Sequence, residues 1–220
     1  MDNLKIYHGS NKIIKEPIFG VGKKYNDYGL GFYLTENVEL AKEWSCTSEE
    51  DGVVNCYELK IDNLRILNLS NKNYNILNWI TLLVEHRTLK INTPVMKSSY
   101  YWLVKNYKIH IEDYDIIIGY RADDSYFSFA KAFLNNEITL EQLELALKLG
   151  NLGEQVVLKS EKAFKSLKYI GFERTNGKKY FNRRCERDSL ARKKYFELLE
   201  QNSNGRYIVD LIRGDLNGSI

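Results

Sequence analysis

Two short stretches put chemistry-bearing side chains beside glycines. Leu4-Lys5-Ile6-Tyr7 reads as a strand that delivers His8 directly into Gly9 and Ser10. Further on, Asp27-Tyr28-Gly29-Leu30-Gly31-Phe32-Tyr33-Leu34-Thr35 is a glycine-hinged segment that delivers a tyrosine. A histidine ring can donate to a hydroxyl, and a tyrosine ring offers a flat face to another aromatic ring. Gly9 carries no Cβ, so a ligand can approach its backbone. The pair therefore suits the recognition of a planar ring and a hydroxyl-bearing group.

A third stretch, Gly153-Glu154-Gln155-Val156-Val157-Leu158, reads as a late strand opened by two polar residues. Strand alternation places Glu154, Val156 and Leu158 on one face and Gln155, Val157 and Lys159 on the other. Lys159 seeks water, so Glu154 is expected on the functional face, with Gln155 as the alternative. A glutamine there can hydrogen-bond a hydroxyl but carries no charge. Arg121-Ala122-Asp123-Asp124-Ser125-Tyr126 forms another cluster, at a strand-to-helix junction. Asp123 and Asp124 either stabilise a helix first turn through the macrodipole or orient a ligand. Trp44 sits on an apolar helix face with Leu40 and Ala41, where core packing is the plain alternative to a site.

The elements that position these residues are legible from periodicity. Strands are expected at about residues 3–9, 53–60, 64–69, 114–119, 155–158 and 167–174, with a short extended piece at 32–34. Helices are expected from an N-cap at Thr35 through Cys46, over 75–89, 96–107 and to about Leu134. Thr139 and Gln142 form a capping box for a helix closed by Gly150, and Ser160 caps a short one. Strands and helices follow no regular βαβ alternation, which argues for an α+β fold. No Gly-x-Gly-x-x-Gly follows a strand, so a dinucleotide-binding Rossmann fold is not expected.

Composition sets ordinary bounds. The 220 residues can bury a full core, and 32 basic against 29 acidic residues leave a formal charge of only +3. Three cysteines without ligand spacing suggest reduced thiols in a cytoplasm, and neither they nor His86 and His110 suggest a metal site. No signal-like leader or long apolar run points to a membrane. Beyond Gly177 the texture turns basic, with Lys178, Lys179, Arg183, Arg184, Arg187, Arg192, Lys193 and Lys194 crowded together. A helix at about 184–201 is expected there, packing Leu190, Tyr195, Phe196, Leu198 and Leu199 on one face. Its cations are either solvated or a docking surface for nucleic acid or an acidic partner.

The His-Gly-Ser and Gly-x-Gly-[aromatic]-Tyr stretches resemble the first two motifs of the ADP-ribosyltransferase superfamily. The resemblance is to its histidine-tyrosine-glutamate class, which includes the poly-ADP-ribose polymerases and diphtheria toxin. The run from Tyr114 through Ala163 resembles an uncharacterised bacterial family within that superfamily, a likeness covering roughly residues 4–174. The resemblance implies two small, mainly antiparallel sheets around an NAD+ cleft. It implies an ADP-ribosyltransferase-like domain over 1–176, followed by a basic helical extension over 177–220. NAD+ would be the substrate, His8 would hold a ribose hydroxyl, and Gly9 and Ser10 would face the carboxamide end. Tyr33 would stack on the nicotinamide, and Trp44 falls where polymerase-type members place a second stacking aromatic. Glu154, or Gln155 in the shifted alignment, would take the place of the catalytic glutamate, with Asp123 or Asp124 orienting the ribose or the acceptor. Ala41 stands where polymerase-type members carry a serine that faces the carboxamide.

The implied activity is mono-ADP-ribosylation of a macromolecular acceptor, protein or nucleic acid, by a cytoplasmic bacterial toxin or phage-defence effector with a possible antitoxin. The alternatives are a catalytically degenerate binding module and an NAD glycohydrolase.

Overall fold

The computed structural model describes residues 3–122, 124–149, 153–200 and 204–216. Asn3–Ser10 (β1), Gly52–Lys60 (β3) and Leu167–Thr175 (β7) form an antiparallel sheet in the order β1-β3-β7. Phe32–Leu34 (β2), Ile66–Asn68 (β4), Ile116–Tyr120 (β5) and Glu154–Leu158 (β6) form the second, in the order β2-β6-β5-β4. Among the described strands, only β4 and β5 run parallel. Ile6, Tyr57 and Leu59 from the first sheet meet Phe32, Leu34, Ile116, Val156 and Leu158 from the second in one apolar cluster. The other face of the second sheet carries the larger cluster, filled by Trp79, Leu82, Leu83, Phe133 and Leu143. Those side chains come from Ile76–His86 (α2), Asp124–Leu134 (α4) and Leu140–Ala146 (α5). Pro94–Tyr107 (α3) joins the same layer. The fold is α+β, as the element order implies.

Local chemistry explains most boundaries. The Thr139–Gln142 capping box opens α5 as read from sequence, and Ser160 caps Glu161–Lys165 (α6). The expected N-cap at Thr35 is displaced. The helix that follows β2, Val38–Ser45 (α1), is capped instead by Asn37, whose side chain accepts from Glu39 N and Leu40 N. Thr35 is otherwise engaged: its backbone exchanges two 2.9 Å hydrogen bonds with Tyr7, an isolated bridge that joins the two sheets. The helix cannot start until that pairing is complete. The expected closure of α5 at Gly150 comes too late: the helix ends at Ala146 with Leu147 as its C-cap, and Gly150 itself lies outside the described residues.

The basic C-terminal helix, Gly177–Glu200 (α7), starts earlier than its sequence suggests. Its apolar face is also narrower than expected. Leu198 is buried and Tyr195 stacks on Phe129 at 4.0 Å, but Leu190, Phe196 and Leu199 are exposed. Tyr180 and Ala191 are also buried, and ion pairs to α1 add to this packing. Arg187 grips Glu43 of α1 through Nε (3.1 Å) and Nη2 (2.6 Å), and Arg183 Nη1 bonds Glu39 at 2.6 Å. Ile208–Leu216 (α8) then returns Ile208 and Leu211 to the larger core. The extension is thus packed into the body of the protein.

Glu43 is only 5% exposed, so its carboxylate depends on this pair. Arg187→Ala is expected to cost about 3 kcal/mol, because breaking a buried pair strands the remaining charge. Urea denaturation should show Glu43→Leu/Arg187→Met recovering most of that loss. A double variant as unstable as the single one would mean that the pair matters through packing alone.

Candidate functional site

The cleft opens where β1 and β2 part. Continuing the antiparallel ladder from the Tyr7–Thr35 bridge would set Gly9 opposite Tyr33, yet no such pairing forms. Because Tyr7 turns its N–H and C=O toward Thr35, alternation turns those of Gly9 to the same edge, away from β3. That edge fronts a cavity of about 690 Å3 lined by His8, Gly9, Tyr33, Trp44 and Gln155 among others. The volume lies within the ordinary range for ligand pockets.

His8 spans the gap. Its Nδ1 lies 2.7 Å from the Tyr33 carbonyl oxygen, which can only accept, so Nδ1 carries the proton. The ring stacks on Phe32 at 4.4 Å. Burial holds its pKa below the usual value near 6.5, against the opposing pull of the Tyr33 carbonyl. The ring is therefore neutral at neutral pH, and Nε2 offers a lone pair. With Nδ1 committed to Tyr33, the ring can offer an acceptor but no further donor.

Gly9 is a glycine for a different reason from the one its sequence suggests. A Cβ there would overlap the Ala41 carbonyl oxygen and lie 2.8 Å from Ser45 N, so its bare Cα admits α1, not a ligand. Ser10 lies outside the cleft. Its hydroxyl donates to Lys12 O at 2.6 Å and accepts from Asn55 Nδ2, closing the turn after β1.

Tyr33 is pinned by its tip. The hydroxyl donates to Gly29 O at 2.6 Å and accepts from Tyr28 N at 3.1 Å. Gly29 has a φ of +70°, a conformation that L side chains rarely adopt, so the hinge that aims this carbonyl at Tyr33 needs glycine. Burial drives the phenol's pKa far upward, which leaves the ring face as its usable surface. Trp44 also lines the cleft, but the Arg121 guanidinium lies 4.4 Å from its ring centroid, so one face of the indole is occupied.

The third motif turns out opposite to the favoured expectation. Gln155 is 3% exposed and lines the cleft, whereas Glu154 is exposed and bonds Ser70 Oγ. The two faces of β6 serve different layers. Val156 and Leu158, on the side of Glu154, fill the core between the sheets, while the face of Gln155 and Val157 meets the helical layer and the cleft. Lys159 escapes the rule that placed its face in water. Its ammonium donates to Tyr28 O at 2.7 Å and Leu30 O at 2.6 Å, so the backbone of the hinge solvates it.

Sequence reading passed over a buried carboxylate that faces the cleft. Asp27 is 6% exposed; its Oδ2 accepts from Ala122 N and Gln155 Nε2, each at 2.8 Å. Arg87 Nε lies 3.6 Å from its Oδ1. Burial raises the Asp27 pKa, and these three neighbours oppose the rise. The signal was its place at the head of the glycine hinge. Asp123 and the side chain of Asp124 lie outside the described residues, although Arg121 and Ala122 before them reach the cleft. The far wall is α7, which contributes Arg184, Asp188 and Arg192. Among the described residues four guanidinium groups line the cleft against two carboxylates, with Arg87 paired to Asp27 and Arg192 to Asp188.

These features define an α+β protein with an arginine-lined cleft at the seam of two sheets. The chain belongs to the family described as "Protein of unknown function (DUF3990)", which matches residues 4–169. The α7 wall therefore lies beyond the matched span. No curated protein and no solved structure matches the chain. No helix among the described residues is long and apolar enough to cross a membrane.

Proposed function

We propose that this protein is an NAD+-dependent ADP-ribosyltransferase with a split-sheet fold of that superfamily, acting on a macromolecular acceptor. The observation that carries the reading is the convergence on one cleft of His8, the free strand edge at Gly9, the Tyr33 ring and Gln155. The Gly9 N–H and C=O pair matches a carboxamide, which donates and accepts at once. Tyr33 supplies a face for the nicotinamide ring, and the His8 Nε2 lone pair takes a ribose hydroxyl. The arginines favour the diphosphate.

Cleavage breaks the bond between ribose C1′ and the nicotinamide nitrogen. The electron pair leaves with nicotinamide, which becomes neutral, and the ribose carries the positive charge, much as in glycoside hydrolysis. The acceptor then adds at C1′ and loses its proton to solvent. Ile18, Val21 and Tyr25, exposed on the loop that leads to Asp27, provide apolar surface for a macromolecule.

A second reading is favoured by the uncharged Gln155: a module that binds NAD+ or ADP-ribose without cleaving it. One experiment separates the two. The purified protein is incubated with labelled NAD+ and a cell lysate, with and without nuclease, and free nicotinamide and transferred label are measured. Nicotinamide release with acceptor-bound label is expected. Release without transfer would mark a glycohydrolase. Calorimetric binding without release would support the second reading, and neither binding nor release would end both.

A further inference from the structure

Gln155 does not stand alone. Its Nε2 donates to Asp27 Oδ2 at 2.8 Å and to Tyr120 O at 3.2 Å, and both of these atoms are acceptors. That fixes which end of the amide is nitrogen, and it commits both of the amide's hydrogens to the protein. Only Oε1 is left for a ligand in the cleft. Asp27, in turn, meets donors and a cation: Ala122 N, Gln155 Nε2 and the Arg87 guanidinium. This is how an ionised carboxylate is held in a buried site. The negative end of the amide dipole thus points into the cleft, with a carboxylate behind its positive end.

We propose that Asp27 and Gln155 act as a dyad that replaces a catalytic glutamate. Gln155 Oε1 accepts from a ribose hydroxyl, and Asp27 supplies, through the polarised amide, the negative charge that stabilises the cationic ribose. Gln155 is the catalytic residue, and Asp27 is the positioning residue. The inference rests on the transferase reading and explains how that chemistry proceeds with a glutamine at this place. The electrostatic effect is strongest when positive charge develops, so it belongs to the transition state more than to the bound substrate. Tyr120 O also accepts from Tyr28 Oη at 2.8 Å and Trp79 Nε1 at 3.0 Å, so it stays satisfied when position 155 changes.

The test measures NAD+ affinity by calorimetry and single-turnover nicotinamide release for four proteins: wild type, Asp27→Asn, Gln155→Glu and Asp27→Asn/Gln155→Glu. Asp27→Asn is expected to slow release about 100-fold, the scale of one preorganised transition-state contact, with affinity within about threefold of wild type. Gln155→Glu is also expected to slow release, because it sets a second carboxylate against Asp27 and removes the bond between them. The double variant moves the single charge from position 27 to 155 and restores a donor facing it. Its release rate is expected to exceed that of either single variant by about tenfold or more.

Asp27→Asn releasing nicotinamide at the wild-type rate would overturn the dyad, as would affinity and rate falling together with a lowered melting temperature. Should Asp27→Asn fold poorly, Gln155→Glu alone decides. A faster Gln155→Glu would mean that position 155 merely lacks its glutamate, and the dyad would be wrong. A wild type that cleaves nothing refutes the transferase reading itself and the dyad with it, whereas failure of the variants in an active wild type refutes the dyad only.

Discussion

On the proposed transferase reading, Gln155→Ala is expected to slow NAD+ cleavage by about 100-fold or more, whereas Glu154→Gln should leave it within about threefold of wild type. The contrast follows from the face of β6 that each residue occupies. Gln155 is buried at the cleft and holds Asp27, while Glu154 points out toward Ser70. Alanine at 155 removes the ligand-facing oxygen and one of the donors to Asp27 together. A stability cost of about 1–3 kcal/mol should accompany the lost rate, because a buried acceptor loses a partner. Nicotinamide release under single turnover, read beside urea denaturation, separates the two effects. The reverse pattern, with Glu154→Gln inactive and Gln155→Ala active, would mean that the wrong face of the strand has been assigned to the chemistry.

Gly9→Ala is expected to be among the most destabilising single-methyl additions in the protein. The new Cβ would run into the Ala41 carbonyl oxygen and Ser45 N, both backbone atoms of α1 that cannot swing aside. Overpacking of this kind costs about 3 kcal/mol, and moving α1 would shift Trp44 and Glu43 with it. For a chain of this length that corresponds to a melting temperature lower by about 6–12 °C. Gly171→Ala is the matched control, since a Cβ there meets nothing within 4 Å. Thermal melts should show Gly9→Ala low and Gly171→Ala unchanged or slightly higher. Equal melts for the two would mean that α1 does not sit on β1 as tightly as the geometry requires.

The β4–β5 pairing illustrates what sequence patterns could and could not decide. Both strands were visible as apolar runs, but nothing local distinguishes a parallel partner from an antiparallel one. Arg183, Arg184 and Arg187 read alike as basic residues of one helix. In the fold all three reach α1, Arg183 and Arg187 through the Glu39 and Glu43 carboxylates and Arg184 through the Glu43 carbonyl, but Arg184 also lines the cleft. A charge's role depends on what lies across from it, and sequence spacing carries no record of that.

What the chain by itself determined is local: the strand ending in His8-Gly9, the hinge that carries Tyr33, the Thr139–Gln142 cap and the α+β order. Each follows from side-chain alternation, helical period or turn chemistry within about ten residues. The site's electrostatics came only with the tertiary structure. Asp27 and Gln155 are 128 residues apart and meet because β6 inserts between β2 and β5. Val156 and Leu158 pack between the sheets and Val157 against the helical layer, and the Tyr28 and Leu30 carbonyls let the Lys159 ammonium share the face of Gln155. Alternation says that the two faces of a strand differ. Only the packing on each side decides which one meets a ligand.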